Sequence, residues 1–345
     1  MDKRSEKHIR FIFPILISFL SLANICRAQQ KLQNIVFEGA GIRGIAYCGA
    51  LQALEEKGLL QQIDKVGGTS AGAITALCVS LGYTSHELAD LLYATNFKKF
   101  NDGRFLFAGG INRVNKYFGW YRGEKFSKWI QKLIKDKTGN GEITFQELYA
   151  RGFKDLYITA TILNQQKLVI LSRETYPLMR VCDAVRISIS IPLYFEAVFV
   201  DADGKLVKRP RDKSAVDVMI DGGFTGNFPI RIFDSLSSTD GQEQILVNKN
   251  TLGFRIDSDD QIVQDSSGHA LAPIPVNNFK QYLRAFYNMI IENLNRQPLT
   301  SEDWQRTISI SDGKIGPRIR KLSKPEITVL IQNGYNATAR YLQRK

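Results

Sequence analysis

Three short apolar runs in this chain each break off into a glycine-rich turn, and that punctuation limits the fold more than any other feature. Asn34 to Phe37 runs into Gly39-Ala40-Gly41-Ile42-Arg43-Gly44, and an amphipathic helical pattern follows from Ile45 to Lys57. Ile63 to Val66 runs into Gly67-Gly68-Thr69-Ser70-Ala71-Gly72, and a helical pattern continues to Leu81, with Gly82 as its stop. Val218 to Ile220 ends at Asp221-Gly222-Gly223. Further β-rich runs span Leu156 to Leu163 and Lys167 to Ser172, and an apolar helix is expected from Arg180 to Ser190. Strands that alternate with helices imply an α/β fold of three layers, with a mainly parallel central sheet covered on both faces. Ligands of such sheets bind beyond the carboxyl ends of the strands, where the glycine turns are expected to fall.

At 345 residues the chain can bury a large core, and no linker divides it into independent domains. The first 28 residues are set apart. Lys3, Arg4, Lys7 and Arg10 precede an apolar run from Phe11 to Ile25, and Cys26-Arg27-Ala28 offers a cleavage site, which together predict a signal peptide and export to the periplasm, outer membrane or medium. A lipoprotein signal on Cys26 and a retained anchor are the rival readings. Residues 29–345 read as one catalytic domain, with its motifs in 34–230 and a helical extension built from Asn277 to Arg296 and Pro325 to Gln343.

Charge and cysteine usage exclude some partners. The formal charge is +12, and the leader carries five of the 46 basic and two of the 34 acidic residues, so the remainder stays basic. No basic stretch interleaves with aromatics as a nucleic-acid groove needs, while attraction to anionic lipid head groups suits the balance. Beyond the leader, Cys48, Cys78 and Cys182 form an odd set, two of them in apolar helical patterns, and read as buried free thiols.

Gly68-Thr69-Ser70-Ala71-Gly72 is a G-x-S-x-G pentapeptide between a strand and a helix, the context in which a sharp turn lifts a serine into an exposed, strained position. The turn from Gly39 to Gly44 has the spacing of a dinucleotide fingerprint, with Asp64 about 20 residues later. Asp64 precedes its strand and that strand leads to the serine, so an oxyanion hole of backbone amides is the better reading. Outside the leader only His86 and His269 are present. His86 lies in the first turn of a helix, opened by the capping box Thr84/Glu87, and is poorly placed to reach Ser70. Two arrangements remain open: a Ser-His-Asp triad through His269, and a dyad in which Asp221 takes the serine proton directly.

Taken together and in order, the Gly39–Gly44 turn with Arg43, the Gly68–Gly72 elbow, the block Arg186-Ile187-Ser188-Ile189-Ser190-Ile191-Pro192, Asp221-Gly222-Gly223, and Asn227 with Pro229 resemble the patatin-like phospholipase family. The resemblance covers roughly residues 34–230. It implies a Ser70–Asp221 dyad, an oxyanion hole from amides around Gly41, Ile42 and Arg43, and an acyl-enzyme mechanism without a cofactor or metal. The implied substrate is a phospholipid or another acyl-ester lipid at a membrane surface. Ala40 departs from a family pattern that often has glycine there, and a positive φ at that residue would strain it. A soluble-ester hydrolase with a triad and a dinucleotide-binding module are the alternatives.

Asp136 to Glu147 matches the spacing of a calcium-binding loop, but the same residues make a helix–turn–helix whose second helix opens on the capping box Thr144/Glu147. The capped turn is the expected form. Phe126, Trp129, Ile130 and Leu133 follow helical spacing and read as core. Phe100 to Ile111, within a Gly-rich excursion over 98–122, reads as a packed surface loop ahead of a lid.

Overall fold

The computed structural model describes residues 31–103, 108–239, 242–266, 271–289 and 299–344, so the expected signal peptide and His269 lie outside the described residues. From Leu32 onward the described residues form one compact unit. Its central sheet contains β1 (Asn34–Phe37), β2 (Lys65–Gly68), β3 (Asp155–Ile162), β4 (Lys167–Leu171), β5 (Val198–Val200), β6 (Asp217–Asp221), β7 (Thr251–Asp257) and β8 (Thr307–Ser311). Their order is β8–β7–β1–β2–β3–β6–β5, and β4 also pairs with β3. The first five in that order run parallel, whereas β4 and β6 lie antiparallel to β3 and β5 antiparallel to β6. Every residue of β1, β3 and β7 is buried, as it must be when helices cover both faces of a sheet.

The helices that matter for the site are α1 (Ala46–Glu56), α2 (Ala71–Ser80), α3 (Ser85–Ala94), α4 (Glu124–Thr138), α5 (Phe145–Ala150), α6 (Val181–Ser188), α7 (Phe279–Asn288) and α8 (Lys324–Gln343). Capping boxes open α3, α5 and α8. In the second of these Glu147 accepts the Thr144 N–H at 3.0 Å, so the 136–147 segment is the capped turn, with that carboxylate already engaged. Phe126, Ile130 and Leu133 are buried on α4, and Phe100 meets Phe126 edge-on at 5.3 Å. That contact anchors the start of the 98–122 excursion in the core. Cys48, Cys78 and Cys182 are buried free thiols.

The C-terminal third holds both expected helices, α7 and α8, and adds what its sequence reading lacked. It returns two strands to the sheet, and β7 lies directly beside β1, with Phe37 and Phe254 in register and their rings stacked 5.2 Å apart. Arg255 and Asp257 hide this strand in the sequence. They are two residues apart on one face and pair at 2.6 and 2.9 Å, both buried, so the charges that suggest a surface loop neutralise each other inside. The second strand is shifted from its expected span of Ile63 to Val66: it starts at Lys65 and takes in Gly67 and Gly68. A Cβ on Gly67 would stand 2.4 Å from the Ile232 side chain.

The last helix closes over the first through two glycines. A Cβ on Gly334 of α8 would lie 1.9 Å from the Ala46 carbonyl, and one on Gly49 of α1 would lie 1.8 Å from that of Ile331. Forcing these helices apart costs packing along their whole crossing, so Gly334→Ala is expected to destabilise the fold by about 3 kcal/mol. A lowered midpoint in urea with an unchanged slope would show it; an unaltered midpoint would mean that the crossing yields freely.

Candidate functional site

The register across the sheet sets one level at the strand ends. Phe37 pairs with Gly68, Gly68 with Ile158, and Ala160, two residues further along β3, pairs with Asp221. Because β6 is antiparallel, Asp221 reaches this level only by meeting the overhanging end of β3. The chain leaves β2 through Ser70 at φ +52°, ψ −117°, a conformation that a non-glycine residue rarely adopts, and enters α2 at once. Small neighbours are a packing requirement of this turn. A Cβ on Gly68 would sit 2.3 Å from the Gly72 carbonyl, and one on Gly72 would sit 2.3 Å from that of Phe37. Below it the Thr69 and Thr159 hydroxyls meet at 2.6 Å.

The Ser70 hydroxyl donates to Asp221 Oδ2 at 2.7 Å. The other carboxylate oxygen accepts the Gly223 N–H at 2.8 Å, a contact that the Asp-Gly-Gly turn makes possible. Gly222 runs against β3, where a Cβ would be 2.6 Å from the Thr159 carbonyl. The Asp221 backbone is held on both sides, its N–H by the Ser190 carbonyl at 3.1 Å and its own carbonyl by the Thr161 hydroxyl at 3.0 Å. Asp221 is buried, and loss of solvent pushes its carboxyl up to about 7, with the Gly223 amide and the Ser70 hydroxyl opposing the shift. A serine hydroxyl bonded to a carboxylate that titrates near neutrality can pass it a proton and attack an electrophilic carbon.

The glycine turn at 39–44 lies beside the serine but is fastened differently from the expectation. Gly39 donates to the Asn227 carbonyl at 3.1 Å while the Asn227 side chain donates back to the Gly39 carbonyl at 2.9 Å. Ile42 donates to the Pro317 carbonyl at 3.2 Å, and Arg43 donates to that of Ala40 at 3.3 Å. These three amides are therefore already satisfied, which removes Ile42 and Arg43 from the hole expected around Gly41, Ile42 and Arg43 and leaves Gly41. The amides of Ala40 and Gly41 donate to none of the described residues. Ala40 has φ −133° and is unstrained; the positive φ falls on Gly41, at +55°. Gly44 packs on Ala71, where its missing Cβ lets the 3₁₀ turn approach the elbow. The Arg43 side chain is buried, with Nε donating to the Ala40 carbonyl at 3.2 Å and the guanidinium 3.7 Å from Asp312, so it braces the turn.

Other expected residues stand away from this constellation. His86 is exposed on α3 and faces Asp90 at 3.3 Å, and Asp64 bonds Gln33 at the foot of β2. The 186–192 block acquires a role that its sequence did not disclose. Ser188 accepts the Ser70 N–H at 2.9 Å, Ser190 anchors Asp221, and buried Arg186 ties the block to the Arg122 and Glu196 carbonyls at 2.7 and 3.0 Å. Pro317 had no sequence signal at all. Above Ser70 opens a cavity of about 1270 Å³, lined by apolar side chains such as Ile74, Phe97, Phe126, Ile189 and Phe195. No helix among the described residues is long and apolar enough to cross a membrane.

Comparison with known proteins places these features in a family. A family model for patatin-like phospholipases matches residues 35–234. The Bacillus subtilis protein YqhO is 33% identical over 210 residues, which cover 57% of this chain and 65% of that one. The protein named "Probable lipid hydrolase 463L" of Invertebrate iridescent virus 6 is 28% identical over 58% of this chain and 62% of its own length. The chain thus spans a little under two thirds of each of these two relatives. Among solved structures, VipD from Legionella pneumophila superposes with a TM-score of 0.54 at 16% identity, covering 91% of this chain and 67% of VipD, a likeness of fold.

Proposed function

This chain belongs to the patatin-like phospholipase family, and on that premise we propose that it hydrolyses acyl esters of lipids with Ser70 as nucleophile and Asp221 as general base. The observation that carries the proposal is the 2.7 Å bond to a buried carboxylate from the hydroxyl of Ser70, a residue that lines a large apolar cavity. The Asp221 carboxylate takes the Ser70 proton as Oγ attacks the ester carbonyl. The oxyanion forms beside the Ala40 and Gly41 amides and the N-terminus of α2. Asp221 then gives its proton to the departing alkoxide, leaving an acyl-enzyme. Water loses a proton to the same carboxylate, attacks the acyl carbon, and frees a fatty acid as Oγ regains a proton. No cofactor enters these steps.

An apolar cavity of this size suits long acyl chains and argues for phospholipid or another acyl-ester lipid over a soluble ester. The basic, apolar leader supports export, after which the substrate would be met at a membrane surface. His269 supplies the test between dyad and triad. His269→Ala is expected to keep near-wild-type hydrolysis of a chromogenic acyl ester. A variant as inactive as Ser70→Ala would replace the dyad with a Ser-His-Asp arrangement.

A further inference from the structure

The mouth of the Ser70 cavity carries two features that the catalytic steps do not use. The first is α7. Phe279, Tyr282, Leu283, Phe286 and Met289 recur at the spacing of one helical face, and that face is turned to solvent: Phe279 is 74% exposed and Phe286 52%. The Tyr282 and Phe286 rings stack 6.5 Å apart along it. A soluble chain seldom leaves so many large apolar groups in a single stripe without a surface to cover them. The helix is continuous with the site, since Phe279 and Leu283 also line the cavity.

The second feature is charge. Among the described residues, every charged one lining the cavity is cationic: Lys98, Arg318, Arg320 and Lys321. Arg320 is paired with Glu326, while Lys98, Arg318 and Lys321 are exposed at the rim. Apolar side chains in one stripe beside a cationic rim are the two halves of an interfacial docking face, the first entering the acyl region and the second meeting anionic head groups.

We propose that α7 and the Lys98–Arg318–Lys321 rim dock the cavity mouth onto an anionic lipid bilayer. The proposal deepens the lipid-ester reading by naming the surface from which substrate is drawn. It is tested apart from that reading, because docking requires no catalysis. An anionic bilayer is favoured over a second copy of this chain because the rim is cationic on every copy and would repel itself. Each exposed cation contributes about 1 kcal/mol at an anionic membrane, so the three rim cations together correspond to a preference of about 100-fold at low salt.

The test floats the Ser70→Ala protein with vesicles of phosphatidylcholine alone and with vesicles in which one third is phosphatidylglycerol. Binding to the mixed vesicles should be at least about tenfold stronger and should fall at high salt as the charges are screened. The triple change Tyr282→Ser, Phe286→Ser, Met289→Ser should abolish flotation, and in the otherwise wild-type chain it should leave hydrolysis of a short soluble ester intact. Arg318→Glu with Lys321→Glu should remove the preference for anionic vesicles. Equal binding to both vesicle types would overturn the proposal. So would undiminished flotation of the triple variant, its loss of soluble-ester activity, or a homodimer that the same three changes dissociate while vesicle binding persists. If flotation behaves as expected and the wild type hydrolyses no acyl ester, the docking face stands and the catalytic reading fails.

Discussion

Ser70→Ala is expected to abolish hydrolysis of a chromogenic acyl ester, a loss of at least about 10³-fold and up to about 10⁶-fold. The same change should abolish labelling by a fluorophosphonate, which needs an activated serine hydroxyl. The size of the effect follows from the site. The groups around Ser70 serve to hold it: Ser188 bonds its amide, Asp221 bonds its hydroxyl, and the glycines at 68 and 72 let the turn form. The backbone adds a second expectation, on stability. Ser70 sits at φ +52°, ψ −117°, where a side chain costs about 1–3 kcal/mol and glycine costs little. Ser70→Gly should therefore lose activity as completely as Ser70→Ala and unfold at a higher temperature than that variant. A Ser70→Ala protein that still hydrolyses the ester and takes up the label would remove Ser70 from the chemistry.

The parts of this site that were legible in the sequence are those whose requirement is local. A strand, a tight turn and a helix constrain only adjacent residues, so the elbow at 68–72 and the turn at 221–223 announce themselves by their glycines. Backbone approach is local too, and the Gly39–Gly44 turn showed itself in the same way. The long-range part was silent. Which amides of that turn stay unengaged depends on Asn227 and Pro317, and nothing near either residue indicates that its carbonyl will take the Gly39 or the Ile42 N–H. Ser188 and Ser190 could be grouped by resemblance, but their duties appear only when α6 ends against β2 and β6. The same distinction explains β7. Its Arg255–Asp257 pair makes a polar pattern out of a fully buried strand, and only the neighbouring strands supply the reason to bury it. Two amphipathic helices also met opposite fates. The α4 stripe of Phe126, Ile130 and Leu133 found a core, whereas the α7 stripe did not. Period alone does not tell a packed face from a docking face.

Asp221→Asn carries the other large effect, and its pH dependence separates a base from a spectator. Removing the proton acceptor is expected to cost about 10²–10⁴-fold in kcat/KM. In the wild type kcat/KM should rise about tenfold per pH unit up to near 7 and then level, because burial pushes the Asp221 carboxyl up to about 7 and only its ionised form can take the Ser70 proton. Stability should run the opposite way. The folded-state pKa lies above the unfolded value of about 3.9, so this group favours the fold fully below that value, and the contribution is lost as pH rises through 7. At about pH 8 the wild type keeps a desolvated carboxylate in the core, a burden of a few kcal/mol that the neutral amide introduced by Asp221→Asn avoids. The variant should thus melt several degrees above the wild type at about pH 8, and the gap should close towards about pH 5, where Asp221 is itself neutral. A constant gap across that range would place the titration elsewhere. Activity in the Asp221→Asn variant comparable to wild type, with the same rise up to near 7, would take the base role from Asp221 and return it to a histidine.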